Sequence, residues 1–134
     1  MQAKFPSKRL LVAVIADEST VTGFLLTGIG QRGTRGDTNY MIVNNETTDQ
    51  QLEEKMQSFL DRSDIGIILI AQSSAERVRN MIVEHNENEE RILPTILEIP
   101  SKDQAYDPTK DSMMISAASK LYGYEAGMEK LKDI

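Results

Sequence analysis

The chain has no cysteine and no tryptophan, a single histidine, and aromatic side chains at only 5% of its 134 positions. Without cysteine there is neither a disulfide nor a thiolate metal site. The one imidazole, His85, does not complete a zinc site, which needs several ligands at set spacing. It also leaves most histidine-dependent chemistry short of a partner. No apolar run approaches the ~20 residues that span a bilayer; the longest, Leu10–Ala16 and Ile65–Ala71, are strand-sized. The opening MQAKFPSKRL is basic but lacks the apolar stretch and cleavage site of a secretory signal. No G-x-x-x-x-G-K-[ST] loop occurs to hold a nucleotide, and Ser73-Ser74 lack a G-x-S-x-G elbow. Basic charge is scarce as well. Fifteen Lys and Arg stand against 21 Asp and Glu, for a net charge of −6. Such a field repels nucleic acid and anionic membranes, and no basic cluster exceeds Lys8-Arg9. No nucleic-acid partner and no direct membrane insertion are expected, and a cytosolic location fits.

What is present is a core and an alternating pattern. Apolar residues make up 40% of the chain, enough to argue against global disorder. Arg9–Ala16 and Ile65–Ala71 are continuous β-branched runs, the signature of central parallel strands buried on both faces. Tyr40–Val43 and Thr95–Ile99 read as two shorter strands. Asp17-Glu18-Ser19 opens a helix with acids in its first turn, where the dipole favours them, and Gly28 and Gly30 end it. Thr47-Thr48 caps a helix over Asp49–Arg62, whose Leu52, Met56, Phe59 and Leu60 recur with a 3.6-residue period. Ser73 and Ser74 are candidate caps for a helix through His85. The order β-α-β-α-β-α-β implies a parallel sheet with right-handed crossovers. The expected fold is therefore α/β, with a small four-stranded parallel sheet in the order 2-1-3-4, flanked by helices. Residues 1–100 form this domain, and residues 101–134 form a connector loop and a C-terminal helical arm. Met114, Ile115, Ala118, Leu121 and Tyr122 make an apolar stripe on the arm, which Gly123 and Gly127 break or fray. Packing back on the sheet and binding another chain both stand open for that stripe.

Several constellations carry possible chemistry. Gly28-Ile29-Gly30-Gln31-Arg32-Gly33 spells the dinucleotide fingerprint, but it follows a helix instead of joining a strand to one, so no helix N-terminus meets a phosphate. Asp17-Glu18 ends the first strand, where open α/β sheets hold ligands. With Lys102 this pair suggests a receiver-like or small-ligand-binding domain. The third strand, however, ends in Ile70-Ala71-Gln72-Ser73, with no acid to serve as phosphoacceptor. A helix N-terminus stabilised by acids is the preferred reading. His85, among Glu84, Glu87, Glu89 and Glu90, reads as surface electrostatics. Glu98 sits in an apolar strand, as a catalytic acid or as an edge charge that blocks pairing.

Leu10–Gly30 (LLVAVIADESTVTGFLLTGIG), Asp64–Arg79 (DIGIILIAQSSAERVR) and Leu93–Ser112 (LPTILEIPSKDQAYDPTKDS) together resemble the family of eukaryotic V-type proton ATPase F subunits. The likeness spans nearly the whole chain, and the ILEIPSK…YDP…KDS cassette is its most specific part. The resemblance implies a non-catalytic component of the central stalk, in the peripheral sector, that turns as ATP hydrolysis drives proton translocation and organelle acidification. It implies no catalytic residue, metal or cofactor. Its implied partners are the coiled-coil D subunit, the A/B catalytic hexamer and the d subunit of the membrane sector. The implied location is the cytosolic face of vacuolar or other endomembranes. The matching connector and terminal helix make Lys102, Tyr106, Asp107, Met114, Ile115, Ala118, Leu121 and Tyr122 the expected partner-facing positions. The chain departs from the family at Gln104-Ala105, where His-Pro is usual, in a less basic terminal helix, and in a longer Asn86–Arg91 segment.

Overall fold

The β-branched runs form a parallel sheet, and the segments between them form helices. The computed structural model describes residues 10–30 and 37–134. Its strands are β1 (Leu11–Ala16), β2 (Tyr40–Ile42), β3 (Ile65–Ala71) and β4 (Thr95–Ile99), in the order β2-β1-β3-β4. Its helices are α1 (Glu18–Leu26), α2 (Asp49–Asp61), α3 (Gln72–Arg77), α4 (Arg79–Glu87), α5 (Ser112–Tyr122) and α6 (Tyr124–Lys132). The two most apolar strands, β1 and β3, pair in the centre, as their composition predicts.

Strand alternation divides the core in two. On one face, Ala13, Ile15, Ile68, Ile70 and Ile96 meet Leu52, Met56 and Phe59 of α2 and Ile82 of α4. Each fully buried aliphatic or aromatic side chain there contributes on the order of 1.5–3 kcal/mol. On the other face, Val14, Ala16 and Ala71 lie under Val21 of α1 in a smaller cluster. Helix α1 covers that face thinly, with Leu25 and Leu26 exposed to solvent.

Local chemistry sets the helix ends. Thr48 and Gln51 form a reciprocal capping box at the start of α2. Gly28 and Gly30, which follow α1, adopt φ of 93° and 82°, a region open to glycine without steric cost. Gly33 of the apparent dinucleotide fingerprint lies outside the described residues, as does most of the Gln31–Asn39 loop.

Three expectations are corrected. Ser73 and Ser74 are not caps: β3 runs straight into α3 with Ala71 at the cap position and no side-chain hydrogen bond there. The expected single helix through His85 is two helices, broken at Val78 (φ −119°, ψ 27°). The terminal helix does break at Gly123, but Gly127 lies inside α6 and is buried. Helices α5 and α6 form a hairpin in which α6 packs chiefly on α5, while α5 also touches α4.

Candidate functional site

The joint between sheet and arm is built around one carboxylate. Strand alternation turns Glu98 to the same face as Ile96, toward α4, where its side chain is only 2% exposed. A bare carboxylate there is very costly unless paired and hydrogen-bonded. Arg79, the first residue of α4, grips it with two prongs, Nη1 to Oε2 at 2.6 Å and Nη2 to Oε1 at 3.0 Å. The Ser112 N–H, at the start of α5, donates to Oε2 at 3.2 Å, and Arg79 Nη1 also donates to the Ser112 hydroxyl at 2.9 Å. Glu98 thus fastens the arm's first turn to both β4 and α4. It is neither a solvent-facing edge charge nor a free acid.

A second clasp lies beside the first. Gln72, buried just beyond β3, uses its side-chain amide as a peptide group would. Its Nε2 donates to the Asp107 carbonyl at 2.7 Å, and its Oε1 accepts from the Asp107 N–H at 2.7 Å. This amide occupies the place where aspartyl-phosphate chemistry requires an acid. The Asp107 carboxylate accepts from the Thr109 hydroxyl and N–H, which hold it below its ordinary pKa. Asp111 caps α5 through the N–H groups of Met113 and Met114, and the Tyr106 hydroxyl donates to it. Burial first, and the bond to Asp111 second, push the Tyr106 phenol well above its usual range. It therefore remains a donor through neutral pH, and what it adds to stability is lost only in strong base.

The expected partner-facing residues divide accordingly. Tyr106 and Asp107 shape the joint. Ala118 is buried against α6, and Met114 and Ile115 are half-buried. Lys102, Leu121 (76% exposed) and Tyr122 (54% exposed) face solvent. The Lys130 ammonium stands 5.5 Å from the centre of the Tyr122 ring. A groove of about 570 Å³ runs between α4 and α5, lined by Val83 and Ile115 with Arg79 and Ser112 at its side.

Asp17, Glu18 and Lys102 do share one crevice of about 840 Å³ at the sheet's carboxyl end. Asp17 is committed there as the cap of α1. Its Oδ2 accepts from the Ser19 hydroxyl at 2.6 Å and its Oδ1 from the Thr20 hydroxyl at 2.6 Å. These bonds, that of Ser19 first, lower its pKa to about 2. Asp17→Ala is expected to cost about 1 kcal/mol at pH 7. The folded pKa lies below the ordinary 3.8, so this contribution is full above that value and fades as the pH falls toward 2. Urea unfolding of both proteins at pH 7 and pH 2.5 checks it: the gap should narrow in acid. Among the described residues no three His, Asp or Glu side chains are grouped to hold a metal ion.

Glu98 stands out in the sequence as a lone acid in an apolar strand. Its partners, Arg79 and Ser112, do not, because only the fold brings positions 79, 98 and 112 together. The sequence reads His85 as surface charge. In the structure it is half-buried, and its Nε2 lies 2.6 Å from the Pro94 carbonyl, which fixes that nitrogen as the donor.

Comparison with known proteins places this architecture. The sequence pattern of the ATP synthase (F/14-kDa) subunit family matches residues 12–116. The V-type proton ATPase F subunit of Dictyostelium discoideum is 46% identical over 115 residues, covering 86% of this chain and 92% of that protein. Its counterpart in Arabidopsis thaliana is 44% identical over 114 residues, covering 84% and 86%. The Homo sapiens F subunit is 47% identical over 104 residues, covering 78% and 84%. A crystal structure of the F subunit of the V-type ATP synthase from Archaeoglobus fulgidus aligns over 69% of this chain and 99% of its own, at 22% identity and a TM-score of 0.48. With a matched region that runs from β1 into the arm fastened by Glu98, the chain belongs to the F-subunit family of V-type proton ATPases.

Proposed function

We propose that the chain is a non-catalytic rotor component of the central stalk in a V-type proton ATPase, helping to couple ATP hydrolysis to proton translocation and organelle acidification. The observation that carries this reading is 46% identity, over most of both chains, to a V-type proton ATPase F subunit. The joint supports it, since its charged groups are spent on fastening an arm. A part that transmits torque must hold its contact surfaces in fixed relation, and the Glu98 and Gln72 clasps do so. Residues 10–100 supply the α/β body and residues 101–134 the connector and arm. Lys102, Leu121 and Tyr122 form the exposed partner surface, while Met114, Ile115 and Ala118 support it and Tyr106 and Asp107 set its direction. The proposed partners are the coiled-coil D subunit first, then the A/B hexamer and the d subunit of the membrane sector. The chain sits at the cytosolic face of the membrane through the complex, and among the described residues no helix is long and apolar enough to cross a membrane.

A chain ending at Ser112 tests the arm. It keeps the Ser112 N–H that meets Glu98. It should unfold in urea much as the full chain does, yet bind the coiled-coil partner about 10- to 100-fold more weakly, a loss of roughly 1.4–2.8 kcal/mol. Equal affinity in a titration would reject the docking role of the arm.

A further inference from the structure

The connector Pro100–Asp111, between β4 and α5, contains neither helix nor strand. Left free, such a segment would let the arm sample many directions. Four ties hold it instead, and all lead to the run formed by α3 and the start of α4. The Ser73 N–H donates to the Ser101 hydroxyl at 2.8 Å. The Gln72 amide meets the N–H and the carbonyl of Asp107, each at 2.7 Å. Glu76 pairs with Lys110 at 3.3 Å, and Arg79 donates to the Ser112 hydroxyl at 2.9 Å. Positions 72, 73, 76 and 79 have the spacing of one side of a helix, so that side is a rail along which the connector is laid. The rail is itself anchored. Ala75 and Val78 belong to the main core, and Arg77 reaches Asp49 and the Thr47 carbonyl, both at 2.6 Å. The ties differ in weight. Glu76 and Lys110 are exposed, and such pairs contribute little. Gln72 is buried, and its Nε2 also lies 3.4 Å from Glu98 Oε1, so it joins the two clasps.

We infer that Gln72 and the Arg79–Glu98 pair are positioning residues for partner binding: they hold the arm in its bound direction before the partner arrives. They act through the connector, since Gln72 is 5% exposed and the Glu98 side chain 2%. The inference deepens the rotor reading and rests on it, with body and arm meeting the stalk together. A chain whose arm points correctly only part of the time binds as if diluted by that fraction. The loss falls on the association rate, because the complex once formed keeps all its contacts. Substitutions within an interface act mainly on dissociation instead.

Binding kinetics of the full-length chain with the purified coiled-coil subunit test this. Two variants loosen the joint. Gln72→Leu replaces the amide by an apolar side chain of similar size, and Arg79→Met with Glu98→Leu replaces the whole ion pair. Exchange should rise at the Asp107 amide in the first and at the Ser112 amide in the second, while the sheet melts as in the parent. The association rate should fall about 3- to 10-fold in each, with dissociation within about twofold of the parent. Parental association rates in both variants would overturn the positioning role. A loss carried by dissociation alone would also overturn it, by placing these side chains among the partner contacts. Unchanged exchange at both amides would do the same, because the joint would not depend on these groups. Should Gln72→Leu fail to fold, the double variant decides. Failure of the parent chain to bind the coiled coil would instead reject the rotor reading, and this inference with it.

Discussion

Arg79→Ala should lower the stability of the chain by about 3 kcal/mol, because removing one partner of a buried ion pair leaves the other charge stranded. Glu98 cannot escape by rotating into water, since its side chain is 2% exposed and its strand fixes its direction. Arg79 itself is 23% exposed, which puts the cost at the lower end of the range for such pairs. For a chain of this size the loss corresponds to a fall in Tm of about 10 °C, measurable by calorimetry or by far-UV dichroism. Glu98→Gln is the informative control. It removes the charge but keeps an acceptor for the Ser112 N–H, so its cost should be smaller, about 1–2 kcal/mol. The double variant Arg79→Met with Glu98→Leu separates two roles. Apolar replacement of a whole buried pair is often nearly neutral, so global stability should largely return. The Ser112 N–H then has no acceptor from β4, and exchange at the start of α5 should stay fast. Equal stability of Arg79→Ala and the parent would mean that the carboxylate is not held by this pair.

The body of the protein is legible in the sequence because its signals are local. Continuous β-branched runs mark β1 and β3, the 3.6-residue period marks α2, and Thr48 with Gln51 marks its start. The order of the strands follows from which runs are most apolar. The break at Val78 carries no glycine or proline to announce it. It separates Arg77, which reaches Thr47 and Asp49, from Arg79, which reaches Glu98, and only the tertiary structure supplies those destinations. Ser73 and Ser74 look like caps, but strand and helix are fused there, and Ser73 instead gives its N–H to the Ser101 hydroxyl at 2.8 Å. Gln72 stands out in the sequence only as a missing acid, since its clasp on Asp107 spans 35 positions and leaves no periodic trace. Family membership follows from the matched sequence, whereas the fastening that holds the arm emerges only from distances in space.

The arm's shape depends on two glycines with opposite duties, and substituting the second should have the other large effect. Gly123 turns the corner at φ 82° and ψ 162°, a region essentially confined to glycine. Gly127 lets the two helices touch: a Cβ there would lie 2.8 Å from both the backbone carbon and the carbonyl oxygen of Ala118. Backbone cannot rotate aside as a side chain does, so the helices must part. In an isolated helix, replacing glycine by alanine favours the helix by about 1 kcal/mol, and the sign here is set by which effect wins. With Gly127→Val the clash dominates, and the hairpin should lose about 2–3 kcal/mol, the upper range for overpacking. Helix α6 packs chiefly on α5, so the damage should remain local. Leu131, now buried, should become accessible and the amides of Tyr124–Lys132 should exchange freely. The urea midpoint reported by the sheet should hardly move. Gly123→Ala attacks the same hairpin by a different route, through backbone strain at the corner, and should also release α6. If Gly127→Val left α6 as protected as in the parent chain, the close approach to Ala118 would not be what holds the arm folded on itself.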